Sequence, residues 1–201
     1  MYLRVGRGRI DPARLDEDST LVQDITEAFR QLPGYEDGTF VLGLDRATGQ
    51  SVNVSSYDSM EHARWTPSRP DLDARVQAVR MQADPPDPPA FFEVTATSSS
   101  RSVPKHLRAT RGRFADPSRI DEAAKQVGPD LAAAISRQPG CLGFTGGIDR
   151  ATGQTISIST WDSEEHARWS AADVLGDIPS RFQALTVQVE QPEFFEVITP
   201  A

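Results

Sequence analysis

The sequence predicts an α+β protein built from two tandem βαββαβ repeats, whose antiparallel sheets pack against each other. The main observation is an internal repeat: residues 43–65 recur at 147–169, and 15 of the 23 aligned positions are identical. Apolar residues in each half follow first the two-residue period of strands and then the period of amphipathic helices. A repeat unit of about a hundred residues is a whole small domain, far longer than a solenoid repeat.

Each half is predicted to open with a strand, near residues 3–10 and again near residues 107–114. An Asp-Pro pair ends each strand and starts a helix. In the first half, Ile25, Phe29 and neighbouring apolar residues recur at helical spacing. In the second half, the Gly-Pro pair at residues 128–129 predicts a kink or a restart of this helix.

A hairpin is predicted after each of these helices. A second strand, near residues 39–44 and 144–148, leads into the segment DRATGQ in both halves. The glycine of this segment tolerates a positive φ, so a tight turn is expected here.

The third strand alternates strictly. Val52 and Val54 share one face, whereas Asn53, Ser55 and Tyr57 share the other. The second half repeats the pattern. A polar strand face must be solvated, hydrogen-bonded or directed into a wet cavity, and the sequence leaves open which face meets the helices.

A second helix and a last strand complete each half. Asp58 and Asp162 can cap the first amides of this helix, while Glu61 and Glu165 reach back to the cap. The last strand contains the motif Phe-Phe-Glu-Val in both halves.

The repeats define the expected domains. They are residues 1–96 and 107–201, joined by a polar, Ser-rich linker at 97–106. A βαββαβ unit carries its helices on one face of its sheet, so the other face is bare. Two copies on one chain can cover both bare faces by placing sheet on sheet.

Composition excludes several classes of protein. The net charge of −8 and the pI near 4.9 disfavour nucleic-acid binding, which needs a basic surface. No apolar run approaches the roughly 20 residues that cross a bilayer, and the N-terminus lacks the apolar core of a signal peptide. The single cysteine, Cys141, makes no internal disulfide. We therefore expect a cytoplasmic protein without a membrane or nucleic-acid partner.

The sequence resembles the dimeric α+β barrel superfamily, and within it the antibiotic-biosynthesis-monooxygenase-like proteins, whose domains are ferredoxin-like. The motifs that carry the resemblance are Arg-Gly-Arg at 111–113, Pro-Gly at 139–140, Trp-Asp-Ser at 161–163 and Phe-Glu-Val at 195–197. The resemblance implies that the fused halves form an intramolecular pseudo-dimeric α+β barrel. It also implies an oxygenase that acts on a small phenolic, polyketide-like substrate without a cofactor.

The resemblance favours the second half as the catalytic one, because a Trp begins its second helix. His166 is the expected base, since an imidazole titrates near neutral pH. Trp161 is expected to stack on the substrate and Arg111 to stabilise the oxyanion. The other expected substrate-binding residues are Tyr57, His62, Ser55, Ser159, Arg7 and Trp169. No cluster of residues with metal-ligand spacing is present in the sequence.

Each of these residues also has a structural interpretation. The two histidines are common in a first helical turn, the aromatic residues can close a core, and the arginines can pair with the many acidic side chains. Two other functions therefore stay open: a non-catalytic ligand-binding or structural barrel, and a cofactor-free cyclase or isomerase. The chain is expected to act as a monomer or as a higher homo-oligomer of pseudo-dimers.

Overall fold

The computed structural model describes residues 1–36, 39–65, 69–81, 88–99, 102–169, 180–181 and 187–198. The strands are β1 (Tyr2–Arg9), β2 (Val41–Leu44), β3 (Gln50–Tyr57), β4 (Ala90–Ser99), β5 (His106–Phe114), β6 (Cys141–Ile148), β7 (Gln154–Trp161), β8 (Val187–Val189) and β9 (Glu193–Ile198). The helices are α1 (Pro12–Glu17), α2 (Leu21–Arg30), α3 (Met60–Arg64), α4 (Pro70–Val79), α5 (Ile120–Gln126), α6 (Gly128–Ser136) and α7 (Glu164–Arg168). The predicted α+β class with antiparallel strand pairing is confirmed.

Two compact units make up the chain. Unit 1 consists of Met1–Phe91 and Phe195–Ala201, and unit 2 consists of Phe92–Phe194. These bounds differ from the repeat bounds because the last strand of each half is exchanged: most of β9 belongs to unit 1 and most of β4 to unit 2.

In unit 1 the strand order is β1, β3, β2 and β9, and neighbouring strands are antiparallel. Strand β9 pairs with β2 from Leu44 to Leu42. Gly43 permits this pairing, because a Cβ there would lie 2.8 Å from the Cβ of Phe195. Arg46 of the DRATGQ turn holds the same strand through Glu196 at 2.8 Å and also binds Asp16 at 2.9 Å.

In unit 2 the order is β4, β6, β7, β5 and β8, again antiparallel. Arg150 of the second DRATGQ turn binds Glu93 of β4 and Asp121 of α5, each at 2.6 Å. The turn segment was predicted only as a turn, and the structure adds an ion pair with the exchanged strand. Strand β4 continues to Ser99, so it includes three residues of the segment predicted as linker.

Helix starts follow local chemistry. The Asp11 carboxylate accepts a hydrogen bond from Ala13 N at 3.0 Å and caps α1, with Pro12 in the first turn. The predicted restart at Gly128 is confirmed, since α5 ends at Gln126 and α6 begins at Gly128.

Within the described residues, no helix is long and apolar enough to span a membrane. Most of the proline-rich segment at 85–89 lies outside these residues.

Candidate functional site

The polar face of the third strand in unit 1 meets the helices. Tyr57 lies in a core cluster with Leu32 and with Ala63 of α3. Asn53 and Ser51, two and three strand periods away on the same face, line a cavity together with residues of α2 and α4. The sequence left open which face of this strand meets the helices, and in unit 1 it is the polar face. The opposite face, which carries Val52 and Val54, is buried as well.

The cavity of unit 1 lies between the sheet and helices α1, α2 and α4. Its volume is about 260 Å³, just below the range of about 300–1,000 Å³ that is typical of ligand pockets. Apolar side chains of the helices form one wall and the polar face of the sheet forms the other. Its lining includes Arg4, Leu32, Asn53, Arg69, Leu72 and Arg80.

Glycines on β1 shape the sheet side of this cavity. A Cβ at Gly6 would lie 2.6 Å from the Asn53 amide nitrogen, so the amide occupies the space that a side chain would fill. Gly8 opposes Ser51 in the strand register, and it lines the cavity with Ser51. Arg4 lies on the same face of β1, and its Nη1 donates to the carbonyl oxygen of Trp65 at 3.4 Å.

Several predicted binding residues of unit 1 lie elsewhere. Arg7 contributes to the lining, whereas Tyr57, Ser55 and His62 do not belong to it. Tyr57 is fully buried, and the Ser55 hydroxyl donates to the Tyr57 hydroxyl oxygen at 3.3 Å. Tyr57 packs in the core and is not part of the cavity lining.

Trp161 occupies the equivalent core position of unit 2. Its side chain is 0% exposed, packs against Ile135, and donates from Nε1 to the Ser159 hydroxyl at 2.9 Å. The guanidinium of Arg108 lies 4.9 Å from the ring centroid, a cation–π contact. Cys141 is paired with Trp161 in the register, where unit 1 has Tyr35 against Tyr57. The smaller residue leaves room for the guanidinium over the indole.

Arg111 and Trp161 lie on opposite faces of the sheet of unit 2. Residues 107, 109, 111 and 113 share one face of β5, whereas Trp161 and Ser159 pair with His106 and Arg108 on the other face. Arg111 is 44% exposed and pairs with Glu190 at 2.9 Å and with Glu193 at 4.0 Å. The predicted grouping of Arg111 with Trp161 is therefore corrected by strand parity, and the arginine beside Trp161 is Arg108.

Arg108 is a buried cation. It is 8% exposed, and its Nη1 donates to the Ala167 carbonyl oxygen at 3.5 Å. Burial lowers the pKa of its guanidinium, while Cys141 opposes this shift. Among the described residues no carboxylate pairs with it.

Gln138 is a second unusual buried group of unit 2. It is 3% exposed, and neither its amide nitrogen nor its amide oxygen has a hydrogen-bond partner within the described structure. Such unsatisfied groups cost about 1–3 kcal/mol each. Gln138 directly precedes the Pro-Gly pair at 139–140, as Leu32 precedes the pair at 33–34. Sequence reasoning missed both Arg108 and Gln138, although the substitution of a core Leu by Gln within the repeat was a readable signal.

Both predicted bases form Asp-His pairs. His166 Nδ1 lies 2.6 Å from Asp162 Oδ1, and His62 Nδ1 lies 2.6 Å from Asp58 Oδ1. A carboxylate can only accept, so Nδ1 donates and Nε2 is left as the basic nitrogen of the neutral ring. Each imidazole is 36% exposed.

The predicted capping by these aspartates was wrong. Ser59 and Ser163 cap the helices instead, since their hydroxyls accept from the backbone N of the histidines at 3.2 Å. Asp58 and Asp162 precede the capping serines by one residue, and their carboxylates accept hydrogen bonds from the imidazoles instead. The hydrogen bond from His166 lowers the pKa of Asp162 below its ordinary value of 3.8.

This pKa shift predicts a pH dependence. Because the pKa of Asp162 is lower in the folded chain, the pair contributes its full stability above pH 3.8 and loses it as pH falls through the folded-state pKa. We expect the difference in melting temperature between the wild type and Asp162→Asn to shrink below pH 3.8. Thermal melting from neutral to acid pH measures it. Glu165→Gln, a neighbouring charge removal, should run parallel to the wild type, and a constant Asp162→Asn difference would contradict the prediction.

The two tryptophans at the ends of α3 and α7 differ from Trp161. Trp65 and Trp169 are each 47% exposed. Neither fills the core, and the role of Trp169 in substrate binding stays a prediction.

In the part of the chain that is described, no group of three or more His, Cys, Asp or Glu side chains has a metal-binding arrangement.

Comparison with known proteins places the fold. No protein-family model and no curated protein sequence matches this chain. A "putative monooxygenase" from Fusobacterium nucleatum superimposes with a TM-score of 0.68 at 12% identity, covering 100% of this chain and 92% of that one. An anthrone oxidase-like protein gives 0.60 at 16% identity, with 98% and 91% covered. A ferredoxin fold protein related to antibiotic biosynthesis monooxygenases from Listeria monocytogenes gives 0.53 at 12%, with 98% and 95% covered.

These likenesses confirm the predicted ferredoxin-like fold. The chain has the α+β ferredoxin-like fold of these structures, and the match covers 98–100% of the chain. At such identities the likeness establishes the fold, and the chemistry must be argued from this chain's own residues.

Proposed function

We propose that this chain is a monooxygenase-like enzyme whose unit 1 binds a compact phenolic aromatic in the cavity between sheet and helices. The observation that carries the proposal is the lining of that cavity. Apolar side chains such as Leu72 suit a flat ring system, while Arg4, Arg69 and Arg80 place positive charge around it. A phenolate or enolate is the kind of anion that such a lining stabilises.

The reaction is the oxygenation of a deprotonated substrate without a bound cofactor. For an anthrone, loss of a proton gives a carbanion that reacts with dioxygen, and the products are the anthraquinone and one water. Arg4 is the residue proposed to stabilise the anion in unit 1. The role of Arg7 in substrate binding stays a prediction, because its register partner Val52 lies on the sheet face opposite to Asn53 and the cavity.

The proton acceptor remains part of the proposal. His62 is the acceptor proposed for unit 1 and His166 is its counterpart in unit 2; the Asp-held ring of each leaves Nε2 as the basic atom. Trp161 and Tyr57 are not assigned a stacking role, because both side chains are fully buried.

Anthrone turnover tests this function. We expect oxygen-dependent formation of anthraquinone with the wild type in air and none under nitrogen. Arg4→Met should lower kcat/KM by about 10²-fold, the loss typical of removing one group that stabilises a developing oxyanion. Arg30→Met, an exposed substitution on α2 of the same unit, should leave turnover unchanged. A rate in air equal to the protein-free rate would reject the oxygenase.

A second candidate function is ligand binding without catalysis. It is favoured by the placement of Tyr57 and His62 outside the cavity lining. Saturable binding of anthrone without oxygen-dependent turnover would select this candidate over the enzyme.

The intramolecular pseudo-dimeric barrel belongs to the same proposal. It is supported by the burial of the sheet face opposite to the cavity in unit 1, where Val52 is 0% exposed, and of its counterpart Ile156 at 3% in unit 2. Light scattering at several concentrations provides the test. A mass of one chain, 22.0 kDa, supports closure within the chain, and a multiple of it indicates a homo-oligomer.

A further inference from the structure

Two cavity-lining positions of unit 1 have counterparts in unit 2, and one of the two differs in residue type. Arg4 and Leu32 both line the cavity of unit 1. Their counterparts in the repeat are Arg108 and Gln138. The apolar Leu32 is thus replaced by an amide that is 3% exposed, and the retained cation of the pair, Arg108, is 8% exposed.

Both groups are buried without the partners that their chemistry requires. A guanidinium has five N–H donors, and within the described residues Arg108 makes one hydrogen bond, to the Ala167 carbonyl oxygen. Gln138 leaves both its donor and its acceptor unsatisfied in the described structure. Buried polar groups are otherwise nearly always paired, and a buried charge needs a counter-charge.

The repeat and the local core give their placement: Arg4 and Leu32 line one cavity in unit 1, and Arg108 and Gln138 hold the equivalent positions in unit 2. Arg108 lies over the Trp161 ring and is close enough to Cys141 to influence its titration. Gln138 accepts at its backbone oxygen from Cys141 N at 3.2 Å and donates from its backbone N to Ile135, a neighbour of Trp161 in the core.

We propose that unit 2 carries a second ligand site, for a small aromatic carboxylate with an adjacent hydroxyl group, held by Arg108 and Gln138. The planar guanidinium matches a carboxylate. The amide can accept from the hydroxyl and donate to an oxygen, which satisfies both of its unpaired atoms. A singly charged anion loses less hydration on entering this apolar setting than a doubly charged phosphate does. This site is independent of the oxygenation proposed for unit 1.

Salicylate is the probe, because it combines a ring, a carboxylate and an adjacent hydroxyl. All measurements use the full chain carrying Arg4→Met, so that the cationic cavity of unit 1 does not contribute. Binding is followed by ¹⁵N NMR of the arginine Nε–H and glutamine amide signals. We expect saturable binding that shifts one arginine and one glutamine signal, with benzoate binding more weakly and neutral benzamide more weakly still.

Three further substitutions test the residues. Arg108→Met should weaken salicylate binding about tenfold or more, and Gln138→Leu about fivefold, with a smaller effect on benzoate. Arg137→Met, which removes an exposed arginine next to Gln138, should change nothing. Both site variants should fold, since Gln138→Leu restores the residue of unit 1 and Arg108→Met removes an unpaired buried charge. Their melting temperatures should equal or exceed that of the parent.

The proposal is overturned if the Arg4→Met chain shows no saturable salicylate binding, or if Arg108→Met and Gln138→Leu bind as tightly as their parent. Equal affinities for benzoate and benzamide would also overturn it, because the charge would then have no role. Failure of anthrone turnover leaves these outcomes unaffected, so the two proposals are separable.

Discussion

Trp161→Ala is expected to lower the free energy of unfolding by about 3–5 kcal/mol, the usual range for removing a large aromatic side chain from a core. The indole is 0% exposed, packs in the cluster that includes Phe144 and Ile135, and satisfies its N–H on Ser159. Removal therefore leaves a cavity and also takes the hydrogen-bond donor from a buried hydroxyl. Urea unfolding followed by circular dichroism measures the change.

The matched control is Trp169→Ala, in the same unit and in the same half of the sequence. Its side chain is 47% exposed, so its removal should cost within about 0.5 kcal/mol. Equal losses for the two variants would contradict the assignment of Trp161 to the core. The pair of variants also separates the two interpretations of Trp161, because a ligand-stacking residue would affect binding far more than unfolding.

Gly140→Ala is the second substitution for which we expect a large loss. Gly140 has a φ of +74°, a conformation that costs a residue with a side chain about 1–3 kcal/mol. A Cβ would in addition overlap His166 Nδ1 and Asp162 Oδ1. We therefore expect a loss of unfolding free energy at the upper end of that range or beyond it, measured by the same urea titration.

The double variant Gly140→Ala/His166→Ala separates the two causes. Without the imidazole one of the two overlaps disappears while the backbone strain remains, so the second substitution should recover part of the loss. If His166→Ala instead adds its full cost on top of Gly140→Ala, the overlap is not the cause. Gly34 should behave in the same way against His62, since it has a φ of +64° and the same two kinds of neighbour.

Much of the local structure was predictable because it depends on nearby residues. The restart at Gly128 follows from Gly-Pro chemistry within one turn. The strand β3 was predicted from its two-residue period and is present, although most residues of both its faces are buried. Capping failed by one residue, because Asp58 and Ser59 are both good caps and the choice depended on His62, which takes the Asp carboxylate.

The candidate site was predictable only in part. Strand parity puts Arg7 and Arg9 on one face of β1, and Arg111 and Arg113 on one face of β5, but parity cannot say which face meets the helices. The prediction therefore chose Arg111, which pairs with Glu190 at the surface, over Arg108, which lies against Trp161. Gln138 was overlooked because its isolation depends on what surrounds it in three dimensions.

The sequence by itself determined the repeat, the α+β class, the order of strands and helices, and which residues share a strand face, since each depends on periods and turns within a few residues. Only the tertiary structure decided that β9 pairs with β2 and β4 with β6, and which face is lined by a cavity. The physical reason is that backbone hydrogen bonds are the same for any strand partner. The partner is therefore chosen by side chains far apart in the chain, such as Arg46 with Glu196 and Arg150 with Glu93.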